Sequence, residues 1–319
     1  MNHQERDPFP GYESSFGPAE QTNAQALMAM ALEEDLGTTG DLTALVTIPP
    51  EALGRANFVA RAQGVLCGLP VAERLAERFQ LNFKRGPGVR DGKQLSRGLV
   101  IATVVGPMRN LLAYERTALN FLQHLSGVST QTHRFVETVQ GTDAKILDTR
   151  KTTPGWRMLE KYAVRCGGGH NHRIGLYDAV LIKDNHLAWL MHPQGLKAAD
   201  AQVARSSAAD PVGTAVAAAR SSVPAGTIVE VEVDSLAQFE RSLECAPDIV
   251  LLDNFTLADL GEAVRLRNLQ QPRILLEASG GVNLTTVRNI AETGVDRISV
   301  GALTHSAPAL DIALDYHSE

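Results

Sequence analysis

The sequence predicts an α/β protein, with a barrel-like parallel sheet in the second half of the chain and a smaller α+β domain before it. Three observations carry that expectation. From residue 144 onward, six short β-like runs alternate with helix-like segments: AKILDT (144–149), DAVLIKD (178–184), IVEVEVD (228–234), DIVLLDN (248–254), RILLEAS (273–279) and DRISVGA (296–302). The runs are apolar over consecutive residues, as in parallel strands covered on both faces. Each also ends on polar or glycine residues, the pattern of strand ends converging on one site rather than on unrelated patches of solvent. The length of 319 residues is that of about two domains.

In chain order, residues 1–19 are rich in Pro, Gly, Ser and charge and read as a disordered lead-in. A helix is expected over Asn23–Asp35, with Asn23 as N-cap and Gly37 as its stop. GDLTALVTIPP (40–50) reads as a turn-rich crossing. A strand RANFVAR (55–61), a short helix over Pro70–Phe79 and a strand GLVIATVV (98–105) follow, punctuated by Gly and Pro. Two long helices are expected at roughly Met108–Leu125 and Ser129–Val139, broken near Gly127. The N-terminal α+β domain is thus placed at 20–127 and the barrel at 128–306. Within the barrel, the polar, Ala/Ser-rich stretch HPQGLKAADAQVARSSAADP (192–211) reads as a surface insertion.

Composition narrows the function. With 44% hydrophobic and 21% charged residues, the chain is an ordinary globular one that can bury a core without staples. Thirty Lys and Arg against 36 Asp and Glu leave −6, which argues against nucleic acid as a partner. Cys67, Cys166 and Cys245 are scattered and odd in number, so neither a disulfide framework nor a thiolate metal site is expected. The N-terminus has no secretory apolar core, and no run approaches the roughly 20 apolar residues of a membrane helix. The expectation is a soluble, cytoplasmic protein without a membrane partner.

Residues 150–183 hold seven cations against Glu160 and Asp178, a balance of +5 inside a chain of −6. Arg157, Lys161 and Arg165, spaced by four, read as one solvated helix face. Arg150, Lys151 and Lys183 stand instead at strand ends, where fixed cations imply an anionic ligand. In Cys166-Gly-Gly-Gly-His170-Asn-His172-Arg173, the glycines allow close backbone approach, and His172 and Arg173 read as ligand-contacting cations. A zinc site from His170, His172 and His186 is disfavoured, because alternate residues of an extended loop point apart and no carboxylate spacing completes it. Ser279-Gly280-Gly281 and Gly301-Ala302 follow the last two runs, where barrels hold phosphate on backbone N–H groups. Glu232 and Asp253 end neighbouring runs and suit Mg²⁺ through water, or ribose hydroxyls. Glu230 shares a face with Glu232, so pattern alone does not choose between them. No nucleophilic Ser or Cys with a base is apparent. The combination fits transfer of a phosphorylated sugar.

These strings resemble a known family. DTRKTTPGWRMLEKYAVRCGGGHNHRIGLYDAVLIKDNH (148–186) is similar to the signature of quinolinate phosphoribosyltransferases. So, in the same order along the chain, are EDLGTTGDLT (34–43), ERTALNFLQHLSGVST (115–130), EVEVDSL (230–236), DIVLLDNF (248–255), LEASGGVN (276–283) and DRISVGALTHSAPALDIALDY (296–316). The resemblance spans about Asn23 to Tyr316. It implies a type II phosphoribosyltransferase with an incomplete six-stranded α/β barrel and a mixed N-terminal domain, the latter joined by a C-terminal helix at 307–319. It implies conversion of quinolinate and phosphoribosyl pyrophosphate to nicotinate mononucleotide, pyrophosphate and CO₂ in NAD synthesis, with Mg²⁺, by a homodimer that shares its sites. Carried over by residue, it implies a basic substrate pocket of Arg150, Lys151, His172, Arg173 and Lys183. Arg116 would come from the partner subunit, and Glu232 and Asp253 would lie near ribose and metal. Ser279, Gly280, Gly281 and Gly301 would hold the 5′-phosphate, with His305 beside it.

Trp156 stands where an aliphatic residue is expected, and would either reshape the pocket wall or add packing. Three alternatives remain open at this level. A paralogue of the kind found beside molybdate transport genes would use another acceptor, and the full set Arg116, Arg150, His172, Arg173 and Lys183 weighs against it. A non-catalytic phosphosugar-binding protein would lose Glu232, Asp253 or Lys183. A zinc-dependent hydrolase would need the three histidines to converge.

Overall fold

In the computed structural model, which describes residues 15–191 and 210–317, the first helix begins at Pro18 rather than Asn23. Helix α1 (Pro18–Leu36) is started by Gly17, whose N–H donates to Glu20 Oε2 at 3.0 Å, with Pro18 at the first helical position. Asn23 lies inside the helix and donates to Gly155 O instead. Residues 18 and 19 of the expected lead-in are therefore helical, and residues 1–14 lie outside the described residues. The expected turn-rich crossing holds a second helix, α2 (Leu42–Thr47), capped by Asp41 accepting from Ala44 N at 3.0 Å.

The described chain forms two units. The N-terminal unit takes residues 15–136, 151–169 and 301–317. It contains β1 (Leu53–Ala60), β2 (Gly64–Val65), α3 (Leu69–Arg78), β3 (Asn82–Arg85), β4 (Gln94–Leu95) and β5 (Val100–Pro107). Helix α4 (Met108–Thr138) follows without a break. Its buried stripe, from Leu111 through Tyr114, Ala118, Leu122 and Leu125 to Val128, keeps helical spacing straight across Gly127. Gly127 is there for a close crossing, since an added Cβ would overlap Pro308 O and lie 3.0 Å from Ala309 Cα. One glycine costs a helix about 1 kcal/mol, too little to end 31 residues of it.

Helix α5 (Arg157–Cys166) corrects another expectation. Lys161 is only 1% exposed, and Arg165 pairs with Glu20 of α1 at 2.9 Å. The i, i+4 spacing is that of one face, but the face is buried at Lys161 and paired with α1 at Arg165 rather than solvated. Short as it is, α5 buries every residue from Leu159 to Val164.

The barrel unit takes residues 137–150, 170–191 and 210–300. Its elements are β6 (Lys145–Leu147), β7 (Val180–Ile182), α6 (Asp184–Met191), α7 (Pro211–Ser222), β8 (Val229–Val233), α8 (Leu236–Cys245), β9 (Ile249–Asp253), α9 (Leu257–Gln270), β10 (Leu275–Ser279), α10 (Val287–Glu292) and β11 (Arg297–Ser299). All six β-like runs are strands of one parallel sheet, ordered β6-β11-β10-β9-β8-β7. The sheet ends at β6 and β7, the incomplete barrel that the resemblance implies. Residues 192–209 of the expected insertion lie outside the described residues, while Asp210 caps α7 by accepting from Gly213 N at 2.9 Å.

Register sorts the two faces. Glu232, Leu251, Glu277 and Arg297 are cross-strand neighbours on one face. By the two-residue repeat, Glu230, Asp253, Ser279 and Ser299 share it. The other face carries Val229, Val231, Val250, Leu252, Leu276 and Ile298, all buried. The apolar side is continuous and the other side carries charge.

The segment expected as a C-terminal helix is a strand. After α11 (Ala302–His305), β12 (Ile312–Tyr316) pairs antiparallel with β1, in a sheet ordered β12-β1-β5-β3. Ile312 and Leu314 are buried while Ala313 and Asp315 are not, a two-residue alternation, and Pro308 breaks any helix entering it. No helix among the described residues is long and apolar enough to cross a membrane.

Candidate active site

The carboxyl ends of the barrel strands bring Lys183, Glu232 and Asp253 to one edge of the charged face. Glu232, near the end of β8, pairs with the Lys183 ammonium, which follows β7. Asp253 ends β9 and accepts from the Asn254 side chain at 2.8 Å. Glu232 and Asp253 are half-buried, so they keep carboxylate oxygens within reach of solvent or ligand. Two such oxygen donors on adjacent strands suit a hard cation held through water.

The loop His170–Arg173 is fastened from two directions. Its backbone is tied to strand β6: His170 N donates to Ile146 O at 2.8 Å, and buried Asp148 accepts from His172 N at 2.9 Å and from Asn171 Nδ2 at 2.5 Å. Its side chain reaches inward. His172 is 6% exposed, with Nε2 3.0 Å from Glu230 Oε2 and 3.4 Å from Glu277 Oε1. Glu277 in turn accepts from Arg297 Nε at 2.7 Å and from the Ser299 hydroxyl. Burial pulls the His172 ring towards neutrality, but the two carboxylates outweigh it and raise its pKa to about 10. The Arg173 N–H donates to Nδ1 at 2.7 Å and opposes a second proton there. Two full charges within 3.4 Å exceed one amide dipole, so the upward direction stands.

His172 therefore faces the barrel interior and does not present a free cation to a ligand, as its position in the loop had implied. With Glu230 and Glu277 it has the spacing of a three-ligand metal site. Nε2 carries a proton both in the imidazolium and in the neutral form that accepts at Nδ1, so it offers no lone pair to a metal at neutral pH.

Arg173 is the residue the loop aims. It is buried, and its Nη1 donates to Ala179 O at 2.9 Å. Burial lowers its pKa, and the positive charge of nearby Arg150 lowers it further. Arg150 and Arg173 are thus near enough to repel, Glu230 and Asp178 offset part of that repulsion at Arg173, and a bound anion would relieve it further.

Ser279, Gly280 and Gly281 form the turn after β10. Gly280 has φ +97°, and an added Cβ would overlap the Asn254 side chain. Asn254, itself at φ +57°, donates its N–H to Ser279 O at 2.9 Å. Two crossing turns so close leave room for backbone only. Gly301, Lys151 and His305 belong to the N-terminal unit, where they meet: a Cβ on Gly301 would lie 3.0 Å from Lys151 Cδ and 3.1 Å from His305 Nε2. Lys151 and His305 are exposed. Arg116 is exposed on α4. Trp156 stacks on Phe121 at 4.8 Å and meets His124 edge-on, so it adds packing.

Sequence reading missed Glu277, Arg297 and Ser299, placed Asp148 at a strand end without a role, and left Glu230 undecided. The signal was present: Glu230 and Glu277 each interrupt an apolar run and lie two residues before a strand-end candidate, on the same face. It also took the cysteines as scattered, whereas Cys67 and Cys166 meet beside Asp91. There Asp91 is occupied by Gly68 N, Leu69 N and the Tyr162 hydroxyl. Burial pushes the Cys67 thiol up, away from the thiolate that a metal needs.

Comparison with known proteins places the chain among known relatives. The family models for quinolinate phosphoribosyl transferase match residues 41–126, as its N-terminal domain, and 128–315, as its C-terminal domain. A nicotinate-nucleotide pyrophosphorylase of Mycobacterium leprae is 44% identical over 294 residues, covering 92% of this chain and 96% of that protein. A probable nicotinate-nucleotide pyrophosphorylase of Bacillus subtilis is 38% identical, over 88% of this chain and 89% of that one. The solved nicotinate-nucleotide pyrophosphorylase of Francisella tularensis superposes with a TM-score of 0.80 at 34% identity, over 93% of this chain and 96% of that one.

Proposed function

The chain belongs to the quinolinate phosphoribosyltransferase family, and from that premise we propose its activity. It transfers phosphoribosyl from phosphoribosyl pyrophosphate to quinolinate with loss of CO₂, giving nicotinate mononucleotide and pyrophosphate for NAD synthesis. The observation that carries this is buried Arg173, its guanidinium fixed by Ala179 O at 2.9 Å and within electrostatic reach of Arg150, a pairing of cations that suits a dianion such as an aromatic dicarboxylate. The turn at Ser279–Gly281 supports a phosphate site, and the resemblance implies that Gly301 and His305 contact phosphate too.

The chemistry asks little covalent work of the protein. As pyrophosphate leaves C1 of the ribose, positive charge develops there, and the carboxylates of Glu232 and Asp253 stabilise it. Lys183 holds Glu232 in place and adds a cation for the acceptor's carboxylate or the departing phosphate. The pyridine nitrogen of quinolinate attacks C1; when the 2-carboxylate then leaves as CO₂, the quaternised nitrogen stabilises the electron pair left at C2, and a proton taken up from solvent at C2 completes nicotinate mononucleotide. No protein nucleophile takes part. Glu232 and Asp253 fit Mg²⁺, which when bound would neutralise pyrophosphate as it departs.

The working form in this reading is a homodimer in which Arg116 of one copy serves the other's site, supported by its exposure on α4. Arg116→Ala mixed with Lys183→Ala then regains part of the activity, and verified heterodimers without recovery refute the shared site. Three free thiols support the expected cytoplasmic setting. The test of the activity is incubation with quinolinate, phosphoribosyl pyrophosphate and Mg²⁺, following nicotinate mononucleotide and CO₂, with nicotinate as the parallel acceptor. Product from quinolinate alone is the expected result. Product from nicotinate alone, or from neither, overturns the reading and favours a paralogue with another acceptor.

A further inference from the structure

We propose that Glu230, with Glu277 behind it, is a positioning residue for dianion binding: the two carboxylates fix the His172 ring, and the ring fixes where Arg173 lies. The inference rests on the proposed dicarboxylate pocket and goes beyond it, to residues that touch no substrate.

The chain of contacts is continuous. Glu230 is 0% exposed, and among the described residues its oxygens meet no hydrogen-bond donor in good geometry; its near neighbour is His172 Nε2 at 3.0 Å. Its cross-strand neighbours are Leu181 and Ile249, so a leucine there would suit the local packing better than a carboxylate, whose burial costs several kcal/mol. Glu277 approaches the same ring nitrogen at 3.4 Å and is itself held by Arg297 and Ser299. On the far side of the ring, Nδ1 lies 2.7 Å from the Arg173 backbone N. Arg173 is placed by that contact and by the Nη1 bond to Ala179 O. Rotating the imidazole removes the first of the two. Glu230 also offsets, at Arg173, the repulsion that Arg150 exerts there. Glu230 and Glu232 thus divide their roles by depth on β8: Glu232 faces ligand, and Glu230, one repeat earlier, aims the residue that does.

A merely structural network would weaken every ligand together, so the test compares two probes by calorimetry. Benzene-1,2-dicarboxylate, a non-reacting carbocycle, reports the two-carboxylate pocket. Ribose 5-phosphate reports the glycine turns. Glu230→Gln keeps shape and removes charge; it weakens the dicarboxylate at least about tenfold and ribose 5-phosphate by less than about twofold. Glu230→Asp, which restores the charge, recovers at least about half of that loss on a logarithmic scale. Unchanged dicarboxylate binding in Glu230→Gln, or equal weakening of both probes, overturns the proposal. If Glu230→Gln does not fold, Ser299→Ala loosens Glu277 without stranding a charge. It weakens the dicarboxylate alone by about two- to fivefold, and no change overturns the proposal. Quinolinate turnover by the unaltered protein separates the two readings. Dicarboxylate binding without turnover refutes the activity and leaves positioning to be judged by the affinities; no dicarboxylate binding by the unaltered protein refutes positioning as well.

Discussion

Replacing Arg297 with Met removes one of the two cations that pair with Glu277 among the described residues, and the structure sets the size of the effect. Arg297 is 1% exposed and Glu277 0%, with Nε and Oε2 2.7 Å apart. Their attraction is about 6 kcal/mol at an effective dielectric of about 20, and much of it offsets the desolvation of two ions. Burial alone would raise the Glu277 pKa; His172 and Arg297 overcome it and hold the carboxyl well below the usual carboxylate range. Without Arg297, a charged Glu277 keeps only His172 and Ser299. A stranded partner of this kind costs about 3–5 kcal/mol. Arg297→Met with Glu277→Gln strands no charge, so the double variant recovers about 2 kcal/mol or more against the sum of the single ones. The assay is urea unfolding followed by circular dichroism, with hydrogen exchange over residues 273–300 assigning the loss to β10 and β11. Additivity within about 0.5 kcal/mol would refute the reasoning, because it would mean the two charges are solvated independently.

Three further outcomes follow from single groups. His172 has a folded pKa raised to about 10, so its stabilising contribution is complete below the unfolded value of about 6.5 and is lost as pH rises through about 10. Unfolding free energy therefore falls across that window in the wild type and less so in His172→Gln; parallel pH profiles in urea would exclude the effect. Gly280→Ala strains a φ of +97° and drives Cβ into Asn254, so the KM for phosphoribosyl pyrophosphate rises about tenfold or more while dicarboxylate affinity holds, and an unchanged KM removes this turn from phosphate binding. Lys183→Met lowers kcat/KM for quinolinate at least about tenfold, or about 1.4 kcal/mol. Its half-exposed pair with Glu232 contributes under about 1 kcal/mol to stability, so a large shift in unfolding midpoint would reassign Lys183 to structure.

The barrel was legible because its signal is local. Six apolar runs with polar ends name six parallel strands, and the glycines and acids at those ends follow from the same pattern. The N-terminal unit was harder. Strand β3 (NFKR) has no fully buried residue, and β12 was mistaken for a helix because it joins β1 across more than 250 positions of sequence. Gly127 looked like a helix break because the crossing of Pro308 that requires it is a tertiary fact. Lys161 looked solvated for the converse reason: periodicity finds a helix face but not what lies against it. For the site, residue types at strand ends gave Arg150, Lys183, Glu232 and Asp253 as candidates. They could not show that His172 turns inward, since that depends on Glu230 and Glu277 lying on the same face of two different strands.

An apolar interior would hold this barrel at least as firmly, because paired buried ions rarely surpass well-packed side chains in stability. Apolar contacts, however, tolerate small slides of one strand along another, and this sheet is poorly protected against slides. Strands β6, β7 and β11 have three residues each, and the sheet is open between β6 and β7. Ladder hydrogen bonds alone constrain such short strands weakly. The ionic set Glu230–His172–Glu277–Arg297 joins β8, β10 and β11 to the loop that carries Arg173, with directional contacts that a one-residue slip would break in every strand at once. What the buried charges add is therefore register, and register is what a pocket needs when its two guanidinium groups come from separate segments of chain, Arg150 after β6 and Arg173 from the loop behind α5. On the proposed reading, what offsets the desolvation cost of the interior is a dianion site that would hold its shape before the dianion arrives.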